Sequence, residues 1–403
     1  MHYYISILSS LIDISLSFVL FYLFPYIFEP DVFGKYMYVN SIVLSFSFLF
    51  DFGTSLYFLR EYKNLVNSKK LFEKTFTSSL IFNTLIFLLF LPFSKLIALV
   101  FYLNFMNNIQ VFTKSYAYNN SLFLSDLKFR LFEKLFIYSI ILLLYSTGNK
   151  GLELFLLCIV LVKLVTLFLY IKKQKIVLSI PNIFDIKKII LDSKYYSLNI
   201  LVTSLYTQIS AIWLGFLVGY KEVGAFKIMT NLFPIIYIFI TSFANVYIPK
   251  ATNKYFSDQN VKFMKSSTMQ ISVYVLCIVF IFNVIVFSFK KQILQFYPEY
   301  TIDIEKIYPY LPFIISFTIF KIIYAHILTI IGLQKIRCLL ISSISIVSFF
   351  YSYLLIKKYQ IEGAAVSFLL NELLLAVVFL TLIIRNVVYA KKSTCNTRLG
   401  SIQ

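Results

Sequence analysis

Apolar runs long enough to cross a bilayer recur from one end of this sequence to the other, and they constrain the fold more than any other feature. About 20 helical residues at ~1.5 Å each span the ~30 Å hydrocarbon layer. Such runs occupy 5–27, 37–59, 75–91, 96–112, 131–147 and 152–171, and, after a basic interruption, 196–219, 228–248, 268–289, 308–333, 336–356 and 363–384. They predict an all-α integral membrane protein of about twelve transmembrane helices in two six-helix lobes. Read as one helix, 75–112 would reach roughly 57 Å and overshoot the bilayer. Pro92, Ser94 and Lys95 are therefore expected to mark a turn. The segment 123–134, with Asp126, Lys128, Arg130, Glu133 and Lys134, is read as an extension of the fifth helix into the cytoplasm.

The predicted organisation is an N-terminal lobe over 1–172, a basic cytoplasmic linker over 173–195, a C-terminal lobe over 196–385 and a cytoplasmic tail over 386–403. The first apolar run contains Asp13 and has no basic segment before it, so it reads as a retained helix rather than a signal peptide.

Only 14% of the 403 residues are charged and 60% are hydrophobic, whereas a soluble domain carries about 25% charged residues. Lipid must therefore solvate much of the surface. A formal net charge of +19 would suggest nucleic acid in a soluble protein, but here Lys and Arg gather in alternate connections, around 60–74, 114–134, 172–194, 250–265 and 385–398. Basic connections resist translocation, so both termini are expected in the cytoplasm of a bacterium, with the chain multi-pass in its inner membrane. Topology and anionic lipid headgroups account for the charge, and no nucleic-acid partner is expected. Two histidines, four scattered cysteines and no Gly-rich phosphate loop or hydrolase elbow leave no basis for an enzyme, a metal centre or a cofactor.

The chain also repeats itself. Shifted by 190 residues, Phe33-Gly34-Lys35-Tyr36 meets Val223-Gly224-Ala225-Phe226. An even number of spans separates the copies, so the halves share an orientation and are related by a pseudo-two-fold axis along the membrane normal, as in transporters.

With Pro25, Glu29-Pro30-Asp31-Val32-Phe33-Gly34-Lys35-Tyr36, Asp51-Phe52-Gly53, the Val223-Gly224-Ala225-Phe226 echo and Pro249, the sequence resembles the Wzx O-antigen flippases. These are polysaccharide transporters of the multidrug, oligosaccharidyl-lipid and polysaccharide exporter superfamily. The resemblance implies that the chain moves an undecaprenyl-diphosphate-linked oligosaccharide to the outer leaflet by alternating access, beside an O-antigen polymerase and a chain-length regulator. The seventh span departs from the expected pattern, offering Gln208 and Ser210 where an acidic residue is expected. A multidrug exporter of the same superfamily and a multipass polysaccharide polymerase remain alternatives, although a polymerase usually needs a larger outer loop than 290–307.

A flippase for such a substrate must offer polar surface to diphosphate and sugar, because isolated charge in hydrocarbon is costly. Hydroxyl and amide stripes recur at helical spacing, namely Asn40, Ser47, Asp51 and Thr54 in the second span, and Asn199, Thr203, Thr207 and Ser210 in the seventh. They mark either a cavity or plain helix packing. The ionisable residues deep in spans are Asp13, Asp51, Lys163, Lys321 and Glu372. Asp13 and Asp51 sit at similar depth and are candidates for proton or cation coupling, a role the resemblance also implies for Asp13. Lys163 is read as snorkelling to the interface. Lys321, with Thr318 and Tyr324, is the candidate for the diphosphate. Glu372 is its possible counter-ion, and a permanent pair between the two is the structural alternative.

Overall fold

A computed structural model describes residues 23–54, 68–119, 122–148, 151–179, 183–231, 276–330 and 333–399. Among them no strand occurs. Five helices are long and apolar enough to cross a membrane, or six if one bent pair forms a single span. The chain divides into two compact units, Met1–Gly224 and Ala225–Gln403.

In the first unit, α1 covers Pro30–Ser45 and starts on a proline, whose missing N–H is not needed in a first turn. Then come α2 (Ser68–Phe90), α3 (Lys95–Asn119), α4 (Phe123–Ser146), α5 (Leu152–Gln174) and α6 (Ile183–Leu217). The expected turn between α2 and α3 is present, and the Ser94 hydroxyl accepts the Ile97 N–H at 3.3 Å as an N-cap. Much of the segment read as a linker is helical, since α6 begins at Ile183.

The expectation of one continuous helix over 37–59 is corrected. After α1 the chain tightens into a 3-10 turn, Ser47–Phe50. It then breaks at Phe52 and Gly53, which have φ of 50° and 72°. Gly53 is required twice over: its φ is left-handed, and a Cβ would press on the backbone of Tyr196 and Ser197 in α6. A break at membrane depth needs partners for its freed carbonyls. Ser79 Oγ and Asn83 Nδ2 donate to the Phe50 carbonyl at 2.6 and 2.8 Å. Ser193 Oγ, at 3.0 Å, and Ser197 Oγ donate to that of Phe52.

α1 packs closely on α6, and on Tyr220 just beyond it, because small residues let it. A Cβ on Gly34 would overlap the Tyr220 carbonyl, and one on Gly215 would overlap the Tyr38 ring. Ser47 and Ser204 hydroxyls meet at 2.7 Å. At these positions the polar stripes serve helix packing, the plainer of the two readings.

α7 (Tyr220–Thr230) runs across the boundary between the units. Like α1, it begins four residues before the repeat glycine. The second unit continues with α8 (Leu276–Ser288), bent by 52° from α9 (Lys290–Phe296). Next are α10 (Thr301–Ile307), α11 (Leu311–Ile330) and α12 (Gln334–Leu399). α12 is two arms joined at Gln360, whose φ of 52° is not helical. The bend brings Gly363 so close to Leu355 that a Cβ would overlap its carbonyl.

Candidate functional site

The second unit gathers its sequence candidates between α11 and the second arm of α12. Thr318, Lys321 and Tyr324 lie on α11, with Glu372 opposite. Lys321 Nζ sits 2.7 Å from each oxygen of the Glu372 carboxylate. Accessibility is uneven across the pair, at 14% for the lysine side chain and 1% for the glutamate. The buried Thr318 Oγ1, one helical turn from Lys321, has no hydrogen-bond partner among the described residues. Tyr324 stacks on Phe320 at 5.9 Å. Beside Glu372, the Asn371 amide oxygen accepts the Tyr351 hydroxyl.

The first unit holds a second ionic centre that the sequence reading missed, and it corrects one expectation. Lys163 does not snorkel. Its Nζ lies 2.7 Å from Glu133 Oε1, and the two side chains are 4% and 8% exposed. The fifth span does continue back as helix to Phe123, as expected, and its Asp126, Arg130 and Glu133 are all buried. Arg130 Nε donates to Asp126 Oδ2 at 2.8 Å, and Arg130 Nη2 donates to the Gln110 carbonyl at 2.9 Å. Gln110 Nε2 reaches both Glu133 oxygens at 2.5 Å, and Thr166 Oγ1 reaches Oε2 at 3.2 Å. The four formal charges cancel, and the cavity they line is about 30 Å³, room for about one water molecule. One signal was available: Asp126, Arg130 and Glu133 are spaced i, i+4, i+7 and so share a helix face.

Asp13 lies outside the described residues. Asp51 sits in the break after α1, where its Oδ1 accepts the Gly53 N–H at 3.0 Å and its carbonyl accepts the Thr54 hydroxyl at 2.6 Å. It also lines a cavity of about 370 Å³ with Phe52, Thr54, Ser78, Phe82 and Leu85 among others. Leu85 and Ile81, which also line it, are exposed on the α2 surface. A carboxylate and hydroxyls at one end of an apolar chamber suit an amphipathic guest.

These features can be set beside known proteins. A family model, MatE, matches residues 196–354. An inward-facing multidrug resistance MATE family transporter of the MOP superfamily matches with TM-score 0.65 and 15% identity, over 96% of each chain. An outward-facing one matches with TM-score 0.66 and 13% identity, over 97% of this chain and 96% of that one. The fold is that of the MATE transporters. MATE transporters have twelve transmembrane helices in two lobes, the architecture expected from the sequence. They are transport proteins and not enzymes, in keeping with the lack of catalytic groups expected above. A third structure, a MATE in complex with MaD5, matches as well, at TM-score 0.66 and 13% identity. Among curated proteins none matches.

Proposed function

We propose that this MATE-fold chain is a flippase for an undecaprenyl-diphosphate-linked oligosaccharide, the O-antigen repeat unit, in the bacterial inner membrane with both termini cytoplasmic. The observation that carries the reading is the uneven ion pair at Lys321. The carboxylate of Glu372 is sealed, while part of the ammonium side chain is accessible. An arriving diphosphate therefore meets the cation first and can share it by charge-assisted hydrogen bonds. Thr318 would supply a hydroxyl that lacks a partner among the described residues, and Tyr324 a ring face for sugar. The lipid tail needs no site, since it can remain in the bilayer. Coupling to a proton or cation gradient through Asp13 and Asp51 belongs to the same proposal, as do the polymerase and chain-length regulator as partners.

One observation favours export of amphipathic drugs instead: the apolar chamber with the buried Asp51 carboxylate, which would suit a cationic guest. Deleting the gene separates the readings. A flippase leaves lipopolysaccharide without O-chains while the lipid-linked unit accumulates on the cytoplasmic side. Intact O-chains with raised sensitivity to cationic drugs overturn it in favour of the multidrug reading. Single repeat units on the core without long chains overturn it in favour of a polymerase.

A further inference from the structure

A groove of about 530 Å³ lies between α4 and α5, lined by Lys128, Phe129, Phe132, Leu169, Lys172 and Lys173. We propose that this groove binds an anionic phospholipid of the surrounding bilayer, whatever the chain transports. Three lysines line it, and among the described residues no carboxylate does. The nearby acids on α4, Asp126 and Glu133, are buried and paired with Arg130 and Lys163. Basic residues often end helices merely to offset the last carbonyls. At the end of α5 two of those carbonyls are already bonded, since the N–H groups of Lys175 and Ile176 reach the Lys172 and Ile171 carbonyls at 3.3 and 3.2 Å. Lys173 instead places its ammonium 5.1 Å from the centroid of the Phe129 ring. That ring is itself held edge-on against Tyr170 at 5.3 Å.

The apolar side decides which anion fits. Phe132 and Leu169 are 43% and 40% exposed, and below them Phe136, Val165 and Phe168 continue an exposed apolar stripe along the two helices. A free phosphate or a nucleotide would leave that stripe uncovered. A phospholipid covers it with acyl chains while its phosphate meets the three lysines, the arrangement expected of basic pockets between transmembrane helices.

The test uses the purified full-length protein in a neutral detergent, with its melting temperature followed during titration with dioleoylphosphatidylglycerol, dioleoylphosphatidylcholine or sodium pyrophosphate. The expected result is stabilisation by phosphatidylglycerol alone. The triple variant K128Q/K172Q/K173Q should need on the order of 100-fold more phosphatidylglycerol for half the effect. If that variant does not fold, K128Q alone should still shift the midpoint by about fivefold. An unshifted midpoint in the variant measured overturns the site. Equal protection by pyrophosphate overturns the lipid as its occupant, and equal protection by phosphatidylcholine overturns the role of charge.

Discussion

The Glu133–Lys163 pair of the first unit and the Lys321–Glu372 pair of the second have the same 2.7 Å contact and quite different surroundings. Glu133 is also bonded by Gln110 and Thr166, and a second ion pair, Asp126–Arg130, lies beside it on α4. Low dielectric strengthens a polar network whose members are all satisfied, and makes it rigid. Around Lys321 the carboxylate is as deeply buried, but the cation is partly open and a neighbouring hydroxyl lacks a partner among the described residues. The lesson is that burial of charge alone does not mark a working site. A saturated cluster holds helices together, whereas a pair with one accessible member can exchange partners.

The sharpest way to break this comparison is to neutralise the lysines in turn. Lys163→Ala strands Glu133 in a sealed interior and should destabilise the protein by about 3–5 kcal/mol, read as loss of protein from the membrane. The double variant Glu133→Gln/Lys163→Met should recover most of it. Full abundance in the single variant would end the structural reading of this cluster. Lys321→Ala should cut O-chain export roughly 10- to 100-fold, with a smaller fall in abundance than Lys163→Ala because water can reach the gap. Lys321→Arg should keep part of the activity, and Glu372→Gln should change export little. An equal collapse of both lysine variants would make the second pair structural too.

Two smaller effects refine the contrast. Gly34→Ala forces a methyl group into the Tyr220 carbonyl and should cost about 1–3 kcal/mol, seen as a lower melting temperature. A shift like that of an exposed substitution on α2 would mean that α1 and the start of α7 do not need their close approach. Asp51→Asn should cost less than about 1 kcal/mol, since an amide oxygen can still accept the Gly53 N–H. Transport assayed in vesicles should nonetheless lose its dependence on a proton gradient. Unchanged dependence would confine Asp51 to holding the helix break.

Much of the fold was legible because lipid leaves few choices. The 75–112 run was too long for one span, so Pro92 and Ser94 had to turn it, and 357–362 had to join two spans. The break at Asp51-Phe52-Gly53 was not legible, since those residues interrupt hydrophobicity too little. What makes the break tolerable is supplied by Ser79, Asn83, Ser193 and Ser197, all distant in sequence. Lys163 was misread for a related reason. Distance from a helix end says how far a side chain must stretch to reach water, and nothing about a glutamate waiting on the neighbouring helix. The pairing of Lys321 with Glu372 was legible as an alternative, because the two are charges of opposite sign near the middle of their spans.

The bend at Gln360 bears on how the chain enters the bilayer as it is made. Lys321 precedes its counter-charge by 51 residues, while Lys163 emerges 30 residues after Glu133. During synthesis the first unit's acid is therefore the group that waits, and a carboxyl can wait protonated. The second unit's lysine must wait until the last arm has arrived. Because the two arms of α12 are joined through a single non-helical residue, bringing their ends together costs little chain entropy. They can enter as one hairpin, so the base and its acid come together in a single insertion step.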